Sequence, residues 1–176
     1  MKSVLISIQP KWCELIASGK KTVEVRKTRP KIEVPFKVYI YCTKGKPIFE
    51  QSAFSNETSN GKVIGEFVCD EITPLFNVAT TSWNLLAGNV HEYAKSLVRM
   101  ARLTEEEMHS YAKRKNCYAW HISDLVIYDK PISIGEFCKP CDPDPQCDCE
   151  YCKAHGRSPS MTIKHAPQSW CYVEGE

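Results

Sequence analysis

Two short stretches of this 176-residue chain place reactive side chains at spacings that let them act together. The first is Cys138-Lys139-Pro140-Cys141 and, after seven intervening residues, Cys149-Glu150-Tyr151-Cys152. Each C-x2-C unit can set two thiolates on one tetrahedral Zn2+, and four thiolates hold that ion in a closed structural site without redox chemistry. Cys147 and His155 are alternate ligands. The stretch from 138 to 156 has no room for a core of its own, so metal ligation would supply its folding energy. Free or disulfide-bonded cysteines and an iron–sulfur cluster are the competing readings, although five free thiols on a Pro/Asp-rich loop would be prone to oxidation. Asp142, Asp144, Asp148 and Glu150 against Lys139 make this knob acidic, which suits a structural or protein-binding role better than a nucleic-acid surface.

The second stretch is Thr22-Val23-Glu24-Val25-Arg26. Period two puts Val23 and Val25 on one strand face and Thr22, Glu24 and Arg26 on the other, with Glu24 and Arg26 about 7 Å apart. Three polar side chains aimed together can form a site, but an ordinary solvent-facing strand carries the same residue types. As chemistry, Glu24 can serve as a general base with Lys21 or Arg26 stabilising an oxyanion and Glu66 as a second carboxylate. Equally, Glu24 can pair with Arg26 or Lys21 in a salt bridge that holds a binding cleft. His121, beside Trp120 in a strand pattern, can do acid–base work only if exposed.

These residues need elements to position them. Val4, Ile6 and Ile8 indicate a mostly buried first strand, Pro10 opens a helix with Trp12, Leu15 and Ile16 on its apolar face, and Gly19 ends it. The strand from Thr22 follows, and Phe36 to Cys42 and Val63 to Ile72 read as two more, flanking a Ser/Asn/Gly-rich loop from Lys44 to Gly61. Ser82 caps a short helix through Leu86. Val90, Tyr93, Ala94, Leu97, Val98 and Ala101 then follow the spacing of an amphipathic helix, and Thr104 with Glu107 caps another whose inward face is Met108, Tyr111 and Ala112. Cys117 to Ile122, Leu125 to Tyr128, Ile132 to Phe137 and Trp170 to Val173 complete the strands. With few βαβ crossovers, this order favours an antiparallel α+β domain with a curved sheet or small barrel.

Composition bounds the answer. At 43% apolar and 25% charged, the chain is an ordinary soluble globular one, long enough for a single domain over 1–176. Its formal net charge of +2 argues for no partner by itself, yet residues 1–50 hold eleven Lys/Arg against four Glu. Cys13, Cys42, Cys69, Cys117 and Cys171 are scattered among apolar neighbours and read as core residues. The first ten residues suit no signal peptide and no run spans a membrane, so a cytoplasmic protein with no membrane partner is expected.

Several motifs recur in one family. Ser7-Ile8-Gln9-Pro10-Lys11-Trp12, then Gly19, Lys21, Glu24 and Arg26 in a G-x-K-x-x-E-x-R strand, resemble the opening of ASCH-domain proteins, relatives of the PUA RNA-binding domain. Val63-Ile64-Gly65-Glu66-Phe67, Tyr118-Ala119-Trp120-His121-Ile122 and Ala166-Pro167-Gln168-Ser169-Trp170-Cys171-Tyr172-Val173 continue the likeness. The last of these is similar to the ending of members from phages and prophages. The resemblance implies a PUA-like small β-barrel with flanking helices, the zinc knob being an insertion, and a cleft lined by the G-x-K-x-x-E-x-R strand that holds RNA or a modified nucleotide. Lys20, Lys21, Glu24, Arg26 and Trp120 are then the candidate nucleic-acid contacts, with Trp120 or Trp170 stacking on a base. Some members resemble amidohydrolases acting on an acetylated cytidine, and ribonuclease activity is attributed to others. That makes Lys21 and Glu24 candidate catalytic residues, although Glu24 stands where the hydrolases carry a nucleophilic Thr. A phage protein-interaction module using the zinc knob is the remaining alternative.

Overall fold

The computed structural model describes residues 2–45, 59–75, 89–113, 115–140 and 162–174, without the side chains of 89–91. In chain order its elements are β1 (Lys2–Ile8), α1 (Pro10–Ala17), β2 (Val23–Arg26), β3 (Phe36–Cys42), β4 (Lys62–Cys69), β5 (Ile72–Leu75), α2 (Asn89–Met100), α3 (Glu105–Ala112), β6 (Cys117–His121), β7 (Ser123–Ile132) and β8 (Trp170–Glu174), with a 3-10 turn at Ile134–Glu136. The class is the expected mixed α+β. The chain divides into two compact units, one made of Met1–Glu14, Phe36–Phe67 and Val126–Glu176, the other of Leu15–Pro35 and Val68–Leu125.

The first unit is built on a five-stranded sheet of order β7-β4-β3-β1-β8. β1 runs parallel to β3, with Val4 beside Val38 and Ile8 beside Cys42, and antiparallel to β8, with Lys2 beside Glu174. Every β1 residue after Lys2 is buried, as expected of a central strand covered on both faces. Leu5, Tyr39, Tyr41, Val63, Phe137, Ile163 and Val173 form one core cluster. At Gly65 the strands come so close that a Cβ would collide with the Val126 carbonyl oxygen.

The second unit carries a three-stranded antiparallel sheet of order β2-β6-β5. Val23 and Val25 of β2, Leu75 of β5, and Cys117 and Ala119 of β6 pack with Leu97, Val98 and Ala101 from α2 and its end, and with Met108 and Ala112 from α3. The capping box at α3 forms as the sequence indicates: Glu107 N–H donates to Thr104 Oγ1, and Thr104 N–H donates to the Glu107 carboxylate.

Several expectations change. The described strands form two open sheets, so the small β-barrel is not formed among them; closing the larger sheet would require its edge strands β7 and β8 to pair, and their partners are β4 and β1. The strand expected from Val63 to Ile72 breaks at exposed Asp70 and Glu71 into β4 and β5. Pro74 sits in β5, an edge strand, where its missing N–H removes no ladder bond that the sheet needs. The runs Leu125–Tyr128 and Ile132–Phe137 become the long strand β7 and the 3-10 turn. Tyr93 and Tyr111 are exposed rather than core. Of the five scattered cysteines, Cys13, Cys42, Cys69 and Cys117 are fully buried and Cys171 partly so. The Ser82–Leu86 helix, most of the Lys44–Gly61 loop and all but the first residues of the zinc knob lie outside the described residues.

Candidate functional site

Gly19 makes the turn into β2. Its φ of +70° is the left-handed conformation that closes a helix, and its N–H donates to the Ile16 carbonyl at 2.8 Å. Lys21 N–H then returns to the Leu15 carbonyl at 2.8 Å, which aims the Lys21 side chain inward.

There Lys21 Nζ donates to the Ala101 carbonyl at 2.7 Å, just past the end of α2, and lies 3.1 Å from Glu24 Oε2. The C-terminal end of a helix carries partial negative charge, so the ammonium is stabilised from two sides. Arg26 Nη2 approaches the other Glu24 oxygen, Oε1, at 3.0 Å. The three side chains are nearly removed from water, with relative exposures of 3% for Lys21, 7% for Glu24 and 8% for Arg26. The wet polar face expected of this strand is therefore covered, and only Thr22 remains exposed on it. Buried charges need partners, and each carboxylate oxygen has a cation.

Tyr111, from α3, completes the surroundings. The Lys27 backbone amide hydrogen-bonds its phenolic oxygen, and the Lys27 ammonium stands 4.9 Å from the ring centroid. Burial raises its hydroxyl pKa, a shift that nearby Arg26 opposes and Glu24 reinforces. The helical spacing of α3 located Tyr111 but not its place beside an ion triad on another element. The second unit also exposes Lys20, Arg29, Lys31, Arg102, Lys113 and Lys115. Arg102 Nε donates to the Lys20 carbonyl at 2.5 Å, tying two of these cationic residues together.

The other candidates fall elsewhere. Trp120 stands opposite Glu24 in the β2–β6 register and is 0% exposed, so its ring is part of the core and the stacking role expected of it is not available. Trp170 is partly exposed and meets Tyr172 edge to face at 5.3 Å. His121 Nε2 lies 4.0 Å from Glu71 Oε2, too far for a hydrogen bond. Glu66 belongs to the first unit, where Tyr128 donates to Oε2 at 2.5 Å and Lys37 Nζ lies 2.9 Å from Oε1. Burial alone would raise the Glu66 carboxyl, but these two partners outweigh it and hold the pKa below its ordinary value.

Of the expected zinc ligands, Cys138 is buried in an isolated β-bridge with Thr162, while Cys141, Cys147, Cys149, Cys152 and His155 lie outside the described residues. Among the described residues, no group of three or more His, Cys, Asp or Glu is placed to hold a metal, and no helix is long and apolar enough to cross a membrane.

Comparison with known proteins agrees with this architecture. No curated protein sequence matches. The crystal structure of ASCH from Zymomonas mobilis aligns at a TM-score of 0.57 and 20% identity, covering 98% of this chain and 87% of that one. Crystal structures of two single-substitution variants of the Zymomonas mobilis protein align at TM-scores of 0.56 and 0.57, with 20% and 19% identity, over 99% and 98% of this chain and 91% and 88% of theirs. At these identities the likeness concerns the fold. The ASCH domain family model matches residues 6–125, more than half of the chain and including all of Gly19, Lys21, Glu24 and Arg26. The chain belongs to the ASCH domain family.

Proposed function

We propose that this ASCH domain binds RNA or a modified nucleotide through the surface of its second unit, with the Lys21–Glu24–Arg26 triad as the buried frame of that surface rather than its contact layer. The observation that carries the reading is the occupation of both Glu24 oxygens by cations at 3.1 and 3.0 Å under nearly complete burial. A general base must lie within reach of substrate, and a carboxylate nearly removed from water and held by a cation on each oxygen does not, so this geometry favours binding over the hydrolase alternative. Phosphate contacts fall to the exposed cations Lys20, Arg29 and Arg102, and Tyr111, with the Lys27 ammonium over its ring, offers its remaining exposed surface for stacking. A PUA-like relationship, a phage or prophage origin and a cytoplasmic location are parts of the same reading and rest on the sequence resemblance.

The test is RNA binding at several salt concentrations. Replacing Lys20, Arg29 and Arg102 by Ala should weaken binding and lower the salt slope by about 0.7 for each phosphate of a single strand that is no longer neutralised. An unchanged slope would remove this surface from the interface. Turnover of acylated nucleosides or RNA by the parent protein, abolished in Glu24→Gln, would instead favour the hydrolase.

The acidic insertion is proposed to bind one structural Zn2+ through Cys138, Cys141, Cys149 and Cys152, with Cys147 or His155 as alternates, and to be the face that meets any protein partner. Its described neck supports a closed loop. Ile163 N–H donates to the Phe137 carbonyl at 2.8 Å and Cys138 bridges Thr162, so the chain leaves and returns at one point. Elemental analysis should find one zinc per chain, absent from Cys141→Ser with Cys152→Ser; metal-free protein as purified and after zinc addition would end this proposal.

A further inference from the structure

Two buried thiols in the first unit play no part in the readings above. Cys13 is the fourth residue of α1, and its thiol donates to the Ile8 carbonyl at 3.6 Å. Ile8 is the register partner of Cys42 at the end of β3, and its carbonyl also accepts from Thr43 N–H at 2.8 Å. Ile8 is thus the shared neighbour of the Cys13 sulfur and, across the β1–β3 ladder, of Cys42, and Cys13 lies close enough to hold the Cys42 thiol pKa below its ordinary value. Asn60 Oδ1 lies 3.8 Å from Cys42 Sγ, and Gly61 N–H donates to the Cys42 carbonyl at 2.9 Å, so the pair is held from the other side too. Both residues are 0% exposed.

We propose that Cys13 and Cys42 are a redox modification site: a peroxide oxidises them to a reversible disulfide that ties the first turn of α1 to β3. The Cys42 thiolate attacks one peroxide oxygen, the O–O bond breaks, and Cys42 becomes a sulfenic acid with release of hydroxide, which takes up the thiol proton as water. The Cys13 sulfur then attacks the Cys42 sulfur, the S–O bond breaks, and a second water leaves. Two thiols lose two electrons and one peroxide gains them. The thiolate is the reacting form, and the described cysteines differ in how readily they give it. Hydrogen bonding from Cys13 lowers the Cys42 pKa against the opposing effect of burial, whereas burial raises Cys117, Cys171 and Cys69, the last to about 12. The disulfide would hold the two sulfurs about 2.05 Å apart. Full burial makes the reaction slower than that of an exposed thiol, because peroxide must enter the fold.

Peptide mapping tests the proposal on the full chain. After peroxide treatment, remaining thiols are blocked with N-ethylmaleimide under denaturing conditions, and the unreduced protein is digested with trypsin. The peptides Trp12–Lys20 and Val38–Lys44 each contain one cysteine. The expected product is these two peptides joined, two hydrogens lighter than their sum and separated by dithiothreitol. Recovery of Cys13 and Cys42 as separate maleimide adducts, at peroxide doses that oxidise the cysteines between 138 and 152, would overturn the proposal. In Cys13→Ser the sulfenic acid on Cys42 has no resolving thiol and should be trapped by dimedone; a Cys42 that stays unmodified there would overturn the assigned order of attack. The peptide map of the parent protein stands whether or not that variant folds.

Discussion

Glu24 is the residue on which the buried triad depends. Its replacement by Gln removes the negative charge that Lys21 and Arg26 share, and breaking a buried pair in this way costs about 3–5 kcal/mol. Urea denaturation should show that loss for Glu24→Gln, whereas Thr22→Ala, exposed on the same strand, should stay within about 0.5 kcal/mol. Glu66 makes the complementary case. Its folded pKa is depressed, so its contribution is present above the ordinary carboxylate value of about 4.3 and is lost as pH falls through the folded value. The stability difference between the parent and Glu66→Gln should therefore be greatest near neutral pH and shrink below about pH 4, a window that denaturation curves in acid measure directly. Period two reveals that Thr22, Glu24 and Arg26 share a face but carries no information about what covers it. Tyr111 and Ala101 come from elements some 80 residues away, which is why the triad's composition is legible in the sequence and its burial is not.

At the scale of elements, local sequence signals suffice where local physics decides. The Gly19 turn, the Thr104–Glu107 capping box and the inward face Leu97, Val98 and Ala101 all form as the pattern indicates. Strand limits are less legible, because Asp70 and Glu71 interrupt an otherwise continuous apolar run and strand ends are set by neighbours. Gly65 belongs to that second class. Nothing in Val63-Ile64-Gly65-Glu66-Phe67 says that the β7 backbone passes against it, yet an alanine there would drive its Cβ into the Val126 carbonyl oxygen. Gly65→Ala should lower the urea midpoint by the equivalent of about 1–3 kcal/mol with an unchanged m-value, since the clash is with backbone that cannot rotate away.

Across the whole molecule, the front-loaded positive charge needs restating. Of the eleven cations in residues 1–50, Lys21 and Arg26 are buried against Glu24, so the basic character open to a partner lies with exposed residues such as Lys20 and Arg29. The parallel pairing of β1 with β3 and its second pairing with β8 are the least legible features, because strand order is a long-range property that no window of sequence contains. β8 covers one edge of β1, and removing residues 170–174 should leave a buried-type strand with unpaired backbone groups. Such a chain should appear in the insoluble fraction when expressed, while the intact protein does not.

The same pairing sets a timetable. Lys2 of β1 meets Glu174 of β8, so β1 waits for every element between the two to be synthesised before its second neighbour exists. Closing that contact last puts a large loop-closure cost in the path to the native state. During that interval an apolar strand edge is open to any other nascent chain. The translation rate over the intervening residues and the supply of chaperones therefore bear on the yield of this protein, independently of how stable it is once folded.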